Sequence, residues 1–109
     1  MKVAIIGSRS LEITNIGKYL PEEVTEIVSG GANGVDRCAE EYAKVHGIKF
    51  TLFPTDYDKY GKSAPLKKNM QIIDYSDLVI AFWEGNSKGS KYIIENCKKK
   101  NKPIQIILM

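Results

Sequence analysis

The sequence predicts one α/β domain, a five-stranded parallel sheet in the order 3-2-1-4-5 between two helical layers. Three observations predict it. Five short apolar runs rich in β-branched residues are continuous rather than alternating, as strands buried on both faces are. The segments between them carry apolar residues at helical spacing. A chain of 109 residues suffices for one hydrophobic core and no more.

The first strand is expected over Val3–Ile6 and ends at Gly7. Ile13, Ile16 and Leu20 then recur at helical spacing and predict a first helix. A second strand, Thr25–Val28, leads into the small-residue stretch Ser29–Gly34. Val35, Cys38/Ala39, Tyr42/Ala43 and His46 mark the second helix, with Gly47 placed to cap it in a left-handed conformation. The third strand is Ile48–Phe53, followed by a loop over Pro54–Pro65. Pro65 suits the first turn of a third helix marked by Leu66, Met70 and Ile73. Leu78–Phe82 is the fourth strand. Ser87 opens a fourth helix with Ile93/Ile94 and Cys97 on its apolar face, ended by lysines before Pro103. Ile104–Leu108 is the fifth strand. No repeat, low-complexity tract or linker interrupts the alternation, so residues 1–109 are expected to form a single Rossmann-like three-layer sandwich with right-handed crossovers.

Composition excludes several classes. Hydrophobic residues make up 43% and charged residues 27%, ordinary for a globular chain and unlike a disordered one. The longest apolar run, Leu78–Trp83, is far below the ~18 residues of a membrane span. Val3–Ile6 is too short for the core of a signal peptide, so a cytoplasmic protein without a membrane partner is expected. Cys38 and Cys97 lie far apart and there is one histidine, which argues against a disulfide framework or an ordinary zinc site. No metal and no cofactor is expected. Charge is uneven: residues 1–58 hold six basic and nine acidic side chains, residues 59–109 ten lysines and four acids. The lysine-rich half reads either as solvated helix faces, with Lys98, Lys99 and Lys100 suiting a helix C-terminus, or as a basic surface for phosphate or nucleic acid. The only arginines, Arg9 and Arg37, both sit beside glycine-bearing turns.

In open α/β sheets ligands bind beyond the carboxyl ends of the strands. Loops 7–11, 29–34, 54–65 and 83–90 should converge there, and they hold nearly all the glycine and small polar residues. Several local patterns within them fail on inspection. Gly61-Lys62-Ser63 resembles the end of a P-loop, but Asp56 stands where its first glycine belongs. Asp56-x-Asp58 begins like a calcium loop and fails at Tyr60 and Lys67. Gly7-Ser8-Arg9-Ser10-Leu11-Glu12 lacks two glycines of the dinucleotide fingerprint.

What remains suits an anion. Gly30, Gly31 and Gly34 lead into a helix whose amino end carries positive dipole, or else make a tight turn that packs the helix on the sheet. Asp36 in that first turn is stabilising there, or holds a ribose hydroxyl. Arg9, just past Gly7 and Ser8, either grips phosphate or forms a surface ion pair. Trp83 closes the core or offers a base a stacking face. Asn86, Ser87, Gly89 and Ser90 open the fourth helix and form a second small-residue loop. His46 is expected to act as a helix C-terminal dipole partner, and Cys38 and Cys97 as inert core residues.

Taken together, Gly7-Ser8-Arg9, Ser29-Gly30-Gly31-Ala32-x-Gly34-Val35-Asp36, Gly61-Lys62-x-Ala64, Asn69-Met70, Asp77–Trp83 and Gly85-x-Ser87-x-Gly89-Ser90 resemble the SLOG superfamily of Rossmann-like proteins. Their order is similar to the small single-domain branch related to YspA and YpsA, and the resemblance spans almost the whole chain. The superfamily also holds the Lonely Guy phosphoribohydrolases and the DNA-processing protein DprA (Smf). It implies a site for nucleotides or nucleotide-derived ligands, with Gly7, Ser8, Arg9, Gly30, Gly31, Gly34, Asp36, Ser87, Gly89 and Ser90 as contacts. Two departures stand out. Ala64-Pro65 and Lys68-Asn69 replace the branch's usual Ala-Gly and Arg-Asn. The Pro-Gly-Gly-x-Gly-Thr turn and catalytic glutamate of the phosphoribohydrolases are missing at Trp83–Ser90, and Glu95 comes too late to stand in. N-glycosidic hydrolysis is therefore not implied.

The expected function is a small nucleotide- or nucleotide-sugar-binding protein, with homo-oligomerisation left open. One rival is a nucleotide N-glycosidase, with Asp36 or Glu84 as its carboxylate. The other is a DprA-like single-strand DNA binder, disfavoured because few aromatics interleave with the lysines.

Overall fold

The computed structural model describes residues 1–7, 11, 13, 15–30, 34–83, 85 and 88–108, without the side chains of residues 88–90. Strands β1 (Lys2–Gly7), β2 (Glu26–Ser29), β3 (Lys49–Leu52), β4 (Leu78–Trp83) and β5 (Ile104–Leu108) form one parallel sheet in the order β3-β2-β1-β4-β5. This is the predicted architecture. Central β1 is paired on both sides, Ala4 facing Val28 of β2 and Val79 of β4. The helices are α1 (Val35–His46), the short α2 (Tyr57–Tyr60), α3 (Ala64–Tyr75) and α4 (Lys88–Lys99), with 3₁₀ turns at Ile16–Tyr19 and Gly61–Ser63.

Successive side chains of a strand point to opposite faces, so an all-apolar strand feeds two cores. Val3 and Ile5 join Ile27, Val35, Ala39, Ile80 and Phe82 on the α1 face. Ala4 and Ile6 join Val28, Ile73, Val79, Ile93 and Cys97 beneath α3 and α4. Gly47 ends α1 in the left-handed conformation expected of it, at φ 66°. Pro65 lies in the first turn of α3. His46 stacks on Tyr42 with ring centroids 4.1 Å apart, while Cys97 is buried and its thiol pushed up by that burial.

Two elements differ from expectation. Where a first helix is predicted, the described residues form only the 3₁₀ turn Ile16–Tyr19. Gly17 is pressed against Tyr42: a Cβ there would lie 2.5 Å from the phenol oxygen. Glycine weakens a helix, and Leu20 turns extended before Pro21. The apolar positions still do their work. Ile13 and Ile16 are buried, and Tyr19 meets Phe82 edge-on at 5.1 Å. The second difference is α2, a helical turn inside the predicted loop Pro54–Pro65. The Asp56 carboxylate caps it by accepting from the Lys59 backbone N–H at 3.1 Å.

Glu26 opens β2 as a buried carboxylate at the sheet's amino edge. The hydroxyls of Thr51 and Tyr75 each donate to its Oε2 at 2.5 Å, and Lys49 Nζ lies 3.6 Å from Oε1. Burial opposes its ionisation, but the two hydroxyl donors and the Lys49 charge outweigh burial and hold the carboxyl below its ordinary 4.5. A group with a lowered folded pKa adds stability above its unfolded value and loses it as pH falls through the folded one. Glu26→Gln should therefore cost about 1–3 kcal/mol at neutral pH. The gap from the parent should close as pH falls below 4.5. Thermal midpoints of both proteins across pH check this, and a gap constant with pH would assign the loss to packing alone.

Candidate functional site

Because all five strands run the same way, their following segments rise from one edge of the sheet. The connections diverge at β1, whose partners β2 and β4 lie on opposite sides, and an open sheet has its ligand crevice at such a point. Three long helices, α1, α3 and α4, begin at this edge and point their amino ends towards it.

Gly7 and Gly34 bring α1 onto the sheet. A Cβ on Gly7 would lie 2.6 Å from Val35 Cγ2 and 2.9 Å from the Phe82 carbonyl oxygen, so the first residue of α1 fills the space that a side chain would need. Close helix packing is thus visible at Gly7, in the loop beside the Gly30–Gly34 turn for which the sequence offers it as one of two readings. Gly34, at φ 76° and ψ −123°, holds a backbone conformation open essentially to glycine, and its carbonyl accepts the first helical bond from Cys38 N–H at 3.1 Å. Asp36 is buried in the first turn of α1, where the helix's amino end stabilises negative charge.

Gly30 follows β2 and has a neighbour that sequence reasoning missed. Lys68, half-buried on α3, reaches across the sheet edge, and its ammonium donates to the Gly30 carbonyl at 3.5 Å. A Cβ on Gly30 would come within 2.9 Å of that nitrogen. The absent side chain therefore admits a cation to the end of β2. The only signal for it was the pair Lys68-Asn69, standing where the resembled branch carries Arg-Asn. Beside it, the fully buried Ser29 hydroxyl has no hydrogen-bond partner among the described residues.

Trp83 ends β4 at the same edge, partly buried and packed against the core beneath α3 and α4. Arg37 points away and pairs with Glu41 at 3.4 Å on the surface of α1, its side chain 73% exposed. Ser8, Arg9, Gly31 and Ser87 lie outside the described residues, as does Glu84. Gly89 and Ser90 belong to the first turn of α4, described by backbone alone. The structure thus gathers Gly7, Gly30, Gly34, Asp36 and Trp83 at one edge and adds Lys68. Among the described residues no three His, Cys, Asp or Glu side chains are grouped to hold a metal ion. Three helix amino ends and a lysine at a glycine turn can attract an anion.

Seating α1 on Gly7 has a measurable consequence. Gly7→Ala should destabilise the fold by about 1–3 kcal/mol through overpacking against Val35 and the Phe82 carbonyl. Urea midpoints at constant slope test it, and an unchanged midpoint would mean that α1 shifts freely on the sheet.

No family model matches the sequence, and no curated protein matches it. Among solved structures the chain is similar to DNA processing protein A from Helicobacter pylori, a structure that gave insights into that protein's unique single-stranded DNA binding mode. Sequence identity is 26% and the TM-score 0.75, over 97% of this chain and 64% of that one. The chain has a DprA-like, Rossmann-type fold and spans less than two thirds of that neighbour's length. No helix among the described residues is long and apolar enough to cross a membrane.

Proposed function

We propose that the chain binds single-stranded DNA and holds its phosphates at the carboxyl edge of the sheet. The observation that carries this reading is the likeness over 97% of the chain to a protein that binds single-stranded DNA. Lys68 at the Gly30 turn, the amino ends of α1 and α4, and the excess of lysine in residues 59–109 agree with it. This reverses the order of preference reached from sequence, where scarce aromatics weighed against a single strand. A free nucleotide or nucleotide sugar is the second reading, favoured by the glycine-rich sequence that leads into the amino end of α1. Under either reading we place the chain in the SLOG superfamily, beside its small single-domain branch.

The test is anisotropy of labelled oligothymidine over a range of salt, with mononucleotides as competitors. Affinity should fall with salt at a log–log slope of about −0.7 for each phosphate contact. Lys68→Ala and Arg9→Lys should each weaken binding by about 1–3 kcal/mol, the latter keeping charge but losing the planar fork. Arg37→Lys should cost only a few tenths of a kcal/mol, about the contribution of an exposed ion pair. Thermal stabilisation by mononucleotides without oligonucleotide binding would establish the second reading. Equal losses at Arg9 and Arg37 would remove the phosphate from this edge.

A further inference from the structure

Resting on the single-strand reading, we infer that the outer surface of the α3–α4 layer is a track that carries the strand from the carboxyl edge towards the amino edge. Topology lays the track. Each helix returns the chain from the end of one parallel strand to the start of the next, so α3 and α4 run down the same face of the sheet, against each other. Each has 12 residues. That length is about 18 Å at the α-helical rise.

Lysines mark both ends of that path. Lys67 and Lys68 lie near the start of α3 and Lys91 near the start of α4, beside the carboxyl edge. Lys98 and Lys99 lie in the last turn of α4 at the far end, both exposed and in no ion pair with the described residues. At the far end Lys100 pairs with Asp74 of α3 at 2.6 Å, which offsets a carboxylate that would repel a polyanion, and Glu95 of α4 is the exposed acid between the two ends. Among the described residues of the opposite face, α1 carries one exposed lysine, Lys44, near its end. On α1 the one arginine is paired with Glu41, and Glu40 beside them is exposed. A chain of phosphates is therefore attracted more strongly by the α3–α4 layer.

A track is distinguished from a single anchoring point by ligand length. Oligothymidines of about 4 and about 16 nucleotides, the range of single-strand site sizes for small modules, serve as probes. The long probe should bind the parent more tightly. The double variant Lys98→Glu, Lys99→Glu should bind the short probe like the parent and lose about tenfold for the long one. The milder pair Lys98→Gln, Lys99→Gln, which does not oppose the helix dipole, should show a smaller loss and a salt slope shallower by about 1.4. Parent-like binding of both probes by both variants would overturn the track while leaving the edge site standing. Equal losses for the two probes would also overturn it, since a general field would then be acting. If these variants instead lose binding to phosphatidylserine vesicles and keep the long oligonucleotide, the lysines face a membrane and the track is refuted. Failure of the parent to bind either probe would bring down the single-strand reading itself.

Discussion

A parallel sheet has to be covered on both faces, and the rest of this molecule follows from meeting that requirement with 109 residues. Every buried strand residue of β1 and β4 serves one of two cores, whose largest fully buried side chains include Phe82, Ile5, Ile27, Ile73 and Ile80. Burial of such a side chain is worth about 1.5–3 kcal/mol, so neither core is dispensable for a domain of marginal net stability. Covering each face with few residues demands close approach. Gly7 yields its side-chain space to Val35, and Gly17 yields its own to Tyr42. Gly7, which looks like part of a ligand loop in sequence, thus has a packing duty as well.

The two edges of the sheet carry different polar contacts. At the amino edge, backbone and side chains tie neighbouring strands together. Lys2 N–H donates to the Asp77 carboxylate and Asp77 N–H to the Lys2 carbonyl, each at 2.8 Å, while Lys102 Nζ reaches the Ser76 carbonyl at 2.5 Å. The Lys2 N–H, chiefly, holds the Asp77 carboxyl below its ordinary range. Glu26 with Thr51 and Tyr75 continues this polar girdle. At the carboxyl edge Lys68 is held by one long hydrogen bond to the Gly30 carbonyl, and each edge keeps one buried hydroxyl without a partner among the described residues, Ser29 there and Ser76 at the amino edge.

Most of the architecture was legible in sequence because it depends on local signals. Continuous β-branched runs gave the strands, and Gly47 and Pro65 marked a helix end and a helix start at their own positions. What escaped depends on contacts distant in sequence. Helical spacing over Ile13–Leu20 reported burial correctly, but not that Tyr42 crowds Gly17 and that the described turn is 3₁₀. Asp56 stands in patterns that begin like a calcium loop and end like a P-loop, whereas its carboxylate closes a turn of helix. Lys68 looked like any solvated helix lysine, since nothing in the sequence brings α3 over a glycine 38 residues earlier.

One more property follows from Trp83. The chain has a single tryptophan, and it stands where β4 meets the carboxyl edge, partly in the core and partly open to water. An indole in such a position changes its emission with the polarity around it, and no second indole dilutes the signal. The protein therefore carries its own unlabelled optical reporter at the rim of the crevice, where occupancy and local unfolding of the β4 end can be followed separately from the melting of the sheet.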